Sequence, residues 1–220
     1  PEHLYACNAH QPRPFNISLG QPLSNTPIAH CALTLLQLIS ARGDTEQTRI
    51  ASLLHSPYWS AASDTTESDA RAQLDAAYRV SVALKAPLSR YDSFAAWYLD
   101  EHQLLAPALR QHLHALAHAA KETQNQRLPS DWRRSLEGLL AKTGWLAEGK
   151  LNSIEFQTRE AFTETLGELS QLDQITGKLS LQETIKRLNQ LCNERLFQPK
   201  TRGNPAIQIL GVLESTGLHF

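Results

Sequence analysis

The stretch Ser180-Leu-Gln-Glu-Thr-Ile-Lys-Arg-Leu-Asn-Gln-Leu191 decides the fold class. Ser180 and Glu183 stand three apart, the spacing of a capping box. There the hydroxyl and the carboxylate each satisfy a backbone N–H that the first helical turn leaves unpaired. Leu181, Ile185, Leu188 and Leu191 then fall on one helical face. The same period recurs up the chain. Phe162, Leu166, Leu169 and Leu172 mark a helix. Ser130 is placed to cap another that runs to Thr143 and stops at Gly144. Leu109, Leu113, Leu116 and Ala120 stripe a helix over 107–124 that opens at Pro107, and a shorter helix covers 93–102. Leu74, Tyr78 and Val82 belong to a helix over 67–85 that Pro87 closes, and the small, polar stretch 60–68 before it reads as a loop. A helix over 46–55 is stopped by Ser56-Pro57. The first helix opens at Pro27, with Asn25 or Thr26 as cap, and runs to Ala41. Proline suits a first turn because its missing N–H would have had no partner there.

Two extended pieces flank this helical body. Phe15-Asn16-Ile17-Ser18 alternates like a short strand, and Leu19-Gly20-Gln21-Pro22 reads as the turn after it. The run Ala206-Ile207-Gln208-Ile209-Leu210-Gly211 reads as a buried strand. The expected fold is therefore mainly α: a multi-helix domain with short β pieces at its two ends, inserted into a sheet-containing domain. Its divisions are an extended stub over 1–25, a helical domain over 26–198, and a strand with its following segment over 199–220. No repeat of 20–50 residues occurs.

Bulk composition excludes several classes. The 220 residues are 41% hydrophobic and 20% charged, which fits neither a disordered nor a fibrous chain. A net charge of -1 supplies no global basic field toward nucleic acid or anionic lipid. Cys7, Cys31 and Cys192 are odd in number and far apart, so a disulfide framework or a cysteine zinc cluster is not expected, and a reducing, cytoplasmic setting is. No signal-peptide pattern occurs. The longest apolar stretch, 32–39, is broken by Thr34 and Gln37 and falls short of the ~20 residues a membrane span needs. The sequence begins at Pro1, has no Met, and ends at Phe220 inside an apolar run; it reads as a piece of a longer protein.

Candidate chemistry is sparse. His114, His118 and Glu122 are four apart on one helix face, with His112 nearby, and two His at that spacing can bind zinc. The HExxH pattern is absent, so a solvated helix face is the expected reading. Asp64, Glu67 and Asp69 enter a helix, where carboxylates complement the dipole. No GxGxxG, GxxxxGK[ST] or GxSxG occurs, so nucleotide cradling and serine-hydrolase chemistry lack their local signatures. The basic residues point elsewhere. Arg127, Arg133 and Arg134 bracket Trp132, and Lys200 and Arg202 lie in a Pro/Gly loop after Phe197. Such cations can neutralise phosphates, and an exposed Trp can stack on a base. The competing reading makes Trp132 core, together with Trp97 and Trp145 as anchors of helix packing.

The last residues, from Ile207 to Phe220, resemble motif V of UvrD/RecB-type superfamily I helicases, a β-strand followed by Thr-x-His-x-Ser-Lys-Gly-Leu-Glu-aromatic. Ser215, Gly217, Leu218 and Phe220 match it. Gly211, Leu213, Thr216 and His219 replace its Thr, His, Lys and Glu. The polar residues lost are ones that couple nucleotide to DNA, so the resemblance implies a parent without a working ATPase, similar to the inactivated helicase-like proteins of the AddB type. Arg49-Ile-Ala-Ser-Leu-Leu-His-Ser-Pro-Tyr58 resembles their LLxSPY helix and turn. Leu128-Pro-Ser-Asp-Trp132, Gly144-Trp145, Ser153-Ile-Glu-Phe-Gln157 and Leu196-Phe-Gln-Pro199 resemble further spaced pieces of a bacterial group of DNA repair proteins of this type.

The resemblance covers about residues 15–220 and implies a place in the parent: the largely helical 2B domain, inserted in the second RecA-like domain just before motif V. The family's PD-(D/E)XK nuclease lies further toward the C-terminus, so any exonuclease activity belongs to the parent. The expected function is a non-catalytic helical domain that positions single-stranded or forked DNA, or a partner helicase–nuclease subunit. Its expected contacts are Arg127, Trp132, Arg133, Arg134, Lys200, Arg202 and the loop Ser215-Thr216-Gly217. No cofactor and no membrane contact are expected. Two rivals stand beside it: a protein-interaction module that binds no DNA, and an enzyme built on the His114/His118 face.

Overall fold

A computed structural model of the chain describes residues 15–17, 20–41, 43–119, 125–147, 151–200 and 207–209. In chain order its elements are β1 (Phe15–Ile17), β2 (Gln21–Pro22), α1 (Pro27–Ser40), β3 (Asp44–Glu46), α2 (Gln47–Leu54), α3 (Thr65–Ser81), β4 (Lys85–Pro87), α4 (Leu88–Glu101), α5 (Pro107–Ala119), α6 (Pro129–Lys142), α7 (Ser153–Glu168), α8 (Asp173–Thr176), α9 (Leu181–Glu194), β5 (Leu196–Phe197) and β6 (Ile207–Ile209). The described chain is mainly helical with a few short strands.

The most apolar helix sits at the centre. Along α1, Ile28, Ala29, Ala32, Leu35, Leu36 and Ile39 are buried, and so are Leu33 and Leu38 on its other sides. A helix apolar over most of its circumference must be largely surrounded, and α9, α7, α5, α6 and α2 all pack on it, leaving a narrow polar edge with His30 exposed. The outer helices are amphipathic and turn their stripes inward. Leu109, Leu113 and Leu116 of α5 are buried, as are Leu181, Ile185 and Leu188 of α9. The capping box that opens α9 forms as its spacing predicts: the Glu183 backbone N–H donates to Ser180 Oγ (3.3 Å), and the Ser180 N–H donates to the Glu183 carboxylate (2.9 Å). A second box, Asn152 with Glu155, opens α7.

Several expectations are corrected. Helix α3 starts at Thr65, inside the stretch read as a loop, because Asp64 caps it by accepting from the Thr66 and Glu67 N–H groups. It ends at Ser81, and residues 85–87 form β4, which pairs antiparallel with β3. Ser130 lies within the first turn of α6 and does not cap it; Leu128 occupies the cap position and Pro129 opens the helix. Gln21–Pro22 is a strand and not a turn, paired antiparallel with β5. Gly144 ends α6 as expected. Its φ of +87° suits glycine, and a Cβ there would come within 2.5 Å of the His112 ring.

Two buried charged side chains on α3 tie three helices together. Glu67 of α3 accepts from the Ala108 and Leu109 N–H groups (2.7 and 3.0 Å), so its carboxylate closes the free N-terminus of α5. One turn on, Arg71 donates to the carbonyls of Leu53, Leu54, Ser56 and Trp59 at 2.8–3.1 Å, closing the C-terminal end of α2 and the loop beyond it. Both side chains are buried. Burial pulls the Arg71 guanidinium below its ordinary pKa, and Glu67 opposes that shift.

The two extended ends meet. Strands β1 and β6 pair in parallel, with Asn16 opposite Gln208. Nearer the helices, β2 pairs with β5, and the Leu23 N–H donates to the Arg195 carbonyl (2.8 Å). Of the run 206–211, expected to be a buried strand, residues 207–209 are described; they form a strand, and it is not buried. Ile207 is 55% exposed and Ile209 48%, because β6 pairs with β1 alone among the described residues. No helix among the described residues is long and apolar enough to cross a membrane.

Candidate functional site

The basic cluster around α6 is only partly a surface. Trp132 is fully buried, and its indole Nε1–H donates to the Leu179 carbonyl (2.8 Å). It cannot stack on a base; the core reading of this residue is the right one. Arg127 lies over the Trp132 ring, 5.0 Å from guanidinium carbon to centroid, and donates to Ser135 Oγ (2.8 Å). Its backbone also bridges to Leu179 in both directions, which pins the start of α6 against the segment before α9. Arg127 is thus largely engaged in packing. Arg133 reaches Glu137 one turn along α6 (3.5 Å) and remains half-exposed, and Arg134 is exposed. These two, with the exposed Lys142 at the far end of the helix, are the cations that α6 offers to solvent.

Lys200 is exposed too, but it is anchored to a different helix. Its backbone N–H donates to Gln157 Oε1 of α7 (2.7 Å), and its carbonyl accepts from Gln157 Nε2 (3.4 Å). Arg202, Ser215, Thr216 and Gly217 lie outside the described residues, as does Glu122.

The other tryptophans divide. Trp145 donates from its indole to the Ile28 carbonyl of α1 (3.1 Å) and anchors packing as expected. Trp97 does not: it is 55% exposed on α4. Trp59, which the sequence did not single out, is fully buried and donates to the Thr143 carbonyl at the end of α6 (2.7 Å).

The segments quoted for the family resemblance interlock. Tyr58 donates its hydroxyl proton to Glu155 of α7 (3.0 Å), and the Leu146 N–H donates to the Tyr58 carbonyl (2.9 Å). Burial, reinforced by the Glu155 carboxylate, pushes the Tyr58 phenol up to about 12. Trp59 bridges to Trp145. In the described region these contacts hold helices together, and Leu54, His55, Ser56 and Pro57 of the first segment line a surface pocket with Arg71.

The histidine face gains a residue that its helix does not supply. His114 and His118 lie one turn apart on α5, their ring centroids 4.2 Å apart. Helix α4 packs against α5 and brings Asp92, from its second turn, to 3.0 Å of His114 Nδ1. Each of the three offers a ligand atom, and these atoms lie within 4.8 Å of one another. Sequence spacing showed the two histidines. Asp92 stands 22 residues upstream, and only the α4–α5 hairpin joins it to them.

No family model, curated protein or solved structure matches this chain.

Proposed function

We propose that this chain is the non-catalytic helical domain of a cytoplasmic helicase-like DNA repair protein, and that it positions single-stranded or forked DNA, or a partner subunit, with no ATPase of its own. The observation that carries the reading is the parallel pairing of β1 with β6. Parallel neighbours need a crossover of a dozen residues or more, and here the crossover is the whole helical body. A helical insertion into a RecA-like parallel sheet would leave and rejoin it in this way. The motif V-like Ser215-Thr216-Gly217 follows β6 in sequence, as that motif follows its strand in the family. Of the basic residues read as contacts from the sequence, Arg133, Arg134 and Lys200 are open to solvent among the described residues, and contacts of such cations with phosphates carry no sequence preference. Arg202 and the segment Ser215-Thr216-Gly217 are the other proposed contacts. Any nuclease step belongs to the parent protein.

A protein-interaction module without DNA binding is the second reading. It is favoured by the exposed Trp97 on α4 and by Leu105, 74% exposed just after that helix.

The test is fluorescence anisotropy of labelled single-stranded and forked DNA with the whole chain, at low and at physiological salt. Binding that weakens with salt, and is lost when Arg133→Ala and Arg134→Ala are combined, is the expected outcome. Absence of binding at low salt overturns this reading in favour of the second.

A further inference from the structure

We infer that Asp92, His114 and His118 form a binding site for one divalent transition-metal ion of the zinc type, which staples the start of α4 to the end of α5. The inference stands apart from the DNA reading and does not depend on it.

The ligand chemistry is the first argument. Two imidazoles and one carboxylate are the donors zinc takes at a site with three protein ligands, where water fills the fourth position. A set of nitrogen and oxygen donors that mixes imidazole with carboxylate suits zinc better than magnesium or calcium, which prefer oxygen alone. The carboxylate also offsets part of the ion's charge.

Geometry is the second. Zinc–ligand bonds of about 2.0–2.2 Å at tetrahedral angles put donor atoms about 3.4 Å apart. His114 Nδ1 and Asp92 Oδ2 already lie 3.0 Å apart, and all three donors fall within 4.8 Å. The remaining closure is a matter of side-chain rotation. His114, with 64% of its side chain exposed, and the exposed His118 have that freedom, while Asp92, at 16%, is the fixed corner. The two histidines share a face because they are four apart on α5. A surface pair of Asp92 with His114 would need no second imidazole; His118 is what turns a pair into a chelate.

The site joins two helices across a hairpin, so an ion there stabilises the folded chain by mass action. Partners that only orient a metal's ligands are worth about 10–100-fold in affinity. Removing a ligand itself is expected to cost more than about 10-fold.

The experiment uses the whole chain, stripped with a chelator and titrated with Zn2+ by calorimetry. A parallel titration with Co2+ is followed by its visible absorption, which reports tetrahedral coordination. The expected result is one saturable ion per chain, with a rise in Tm. Affinity should fall more than about 10-fold in Asp92→Asn, His114→Ala and His118→Ala, and stay unchanged in His30→Ala, an exposed histidine on α1. Far-UV circular dichroism checks that each variant folds. His118→Asn, a polar replacement at an exposed position, serves if an alanine variant does not. Absence of saturable binding to the native chain overturns the inference. So does binding that survives intact in a folded variant lacking both His114 and His118.

Discussion

Arg71 shows how much one side chain decides. Its guanidinium fork meets four carbonyls from the end of α2 and the loop beyond, while Glu67, one turn earlier, closes the start of α5. Replacing Arg71 with Met leaves those four carbonyls without their donor. The expected loss is about 3–5 kcal/mol, read as a lower urea midpoint. Arg71→Lys is expected to recover little, because a single ammonium cannot span four acceptors held in a planar fork. None of this was legible locally. A carboxylate in the first turn of α3 looks like a partner for that helix's own dipole, and only the arrival of α5 reveals its second role.

Among the elements, the helices follow local rules most closely. The box at α9 was readable because Ser180 and Glu183 are three residues apart, and nothing distant is needed to form it. Ser180→Ala should lower stability by about 1 kcal/mol, a drop of roughly 2–4 °C in Tm for a chain of this size, and Ser180→Asp should retain most of it. A thermal melt followed by circular dichroism separates the two. The short strands β3 and β4 were not readable. Asp44–Glu46 and Lys85–Pro87 are three residues each, without alternation, and they are strands only because the approach to α2 and the exit from α3 run side by side. The ends of α3 moved for related reasons: Asp64 capped it earlier, and pairing with β3 claimed its expected last turn.

At the scale of the molecule, one hydrophobic core runs from Leu23 to Phe197, and two of its thiols make its stability depend on alkaline pH. Burial pushes Cys31 up to about 11 and Cys192 up to about 12, from an ordinary 9.0. Both stay protonated in the fold, while the unfolded chain ionises them near pH 9. The unfolded state therefore binds fewer protons above that pH, and stability falls as pH rises from 9.0 toward 11 and 12. For Cys31 the loss is on the order of 2 kcal/mol by pH 11. Urea denaturation of the native chain between pH 7 and 10.5 should show a plateau and then a decline. A variant combining Cys31→Ala and Cys192→Ala should start lower and decline less steeply; an equal slope would remove the thiols as its cause.

By itself the sequence determined the order of the helices, the apolar faces they bury, and the extended segments that flank them, but not the ends of α3 or the start of α4, which opens at Leu88 and not at residue 93. Those features rest on spacings of three and four residues and on chain-local capping, which need no distant partner. Tertiary structure alone decided the rest. It made Trp132 and Trp59 core and left Trp97 outside, paired β1 with β6, and carried Asp92 to His114 and His118. Each of these depends on which elements come to lie against one another, and periodicity within a single element carries no record of that.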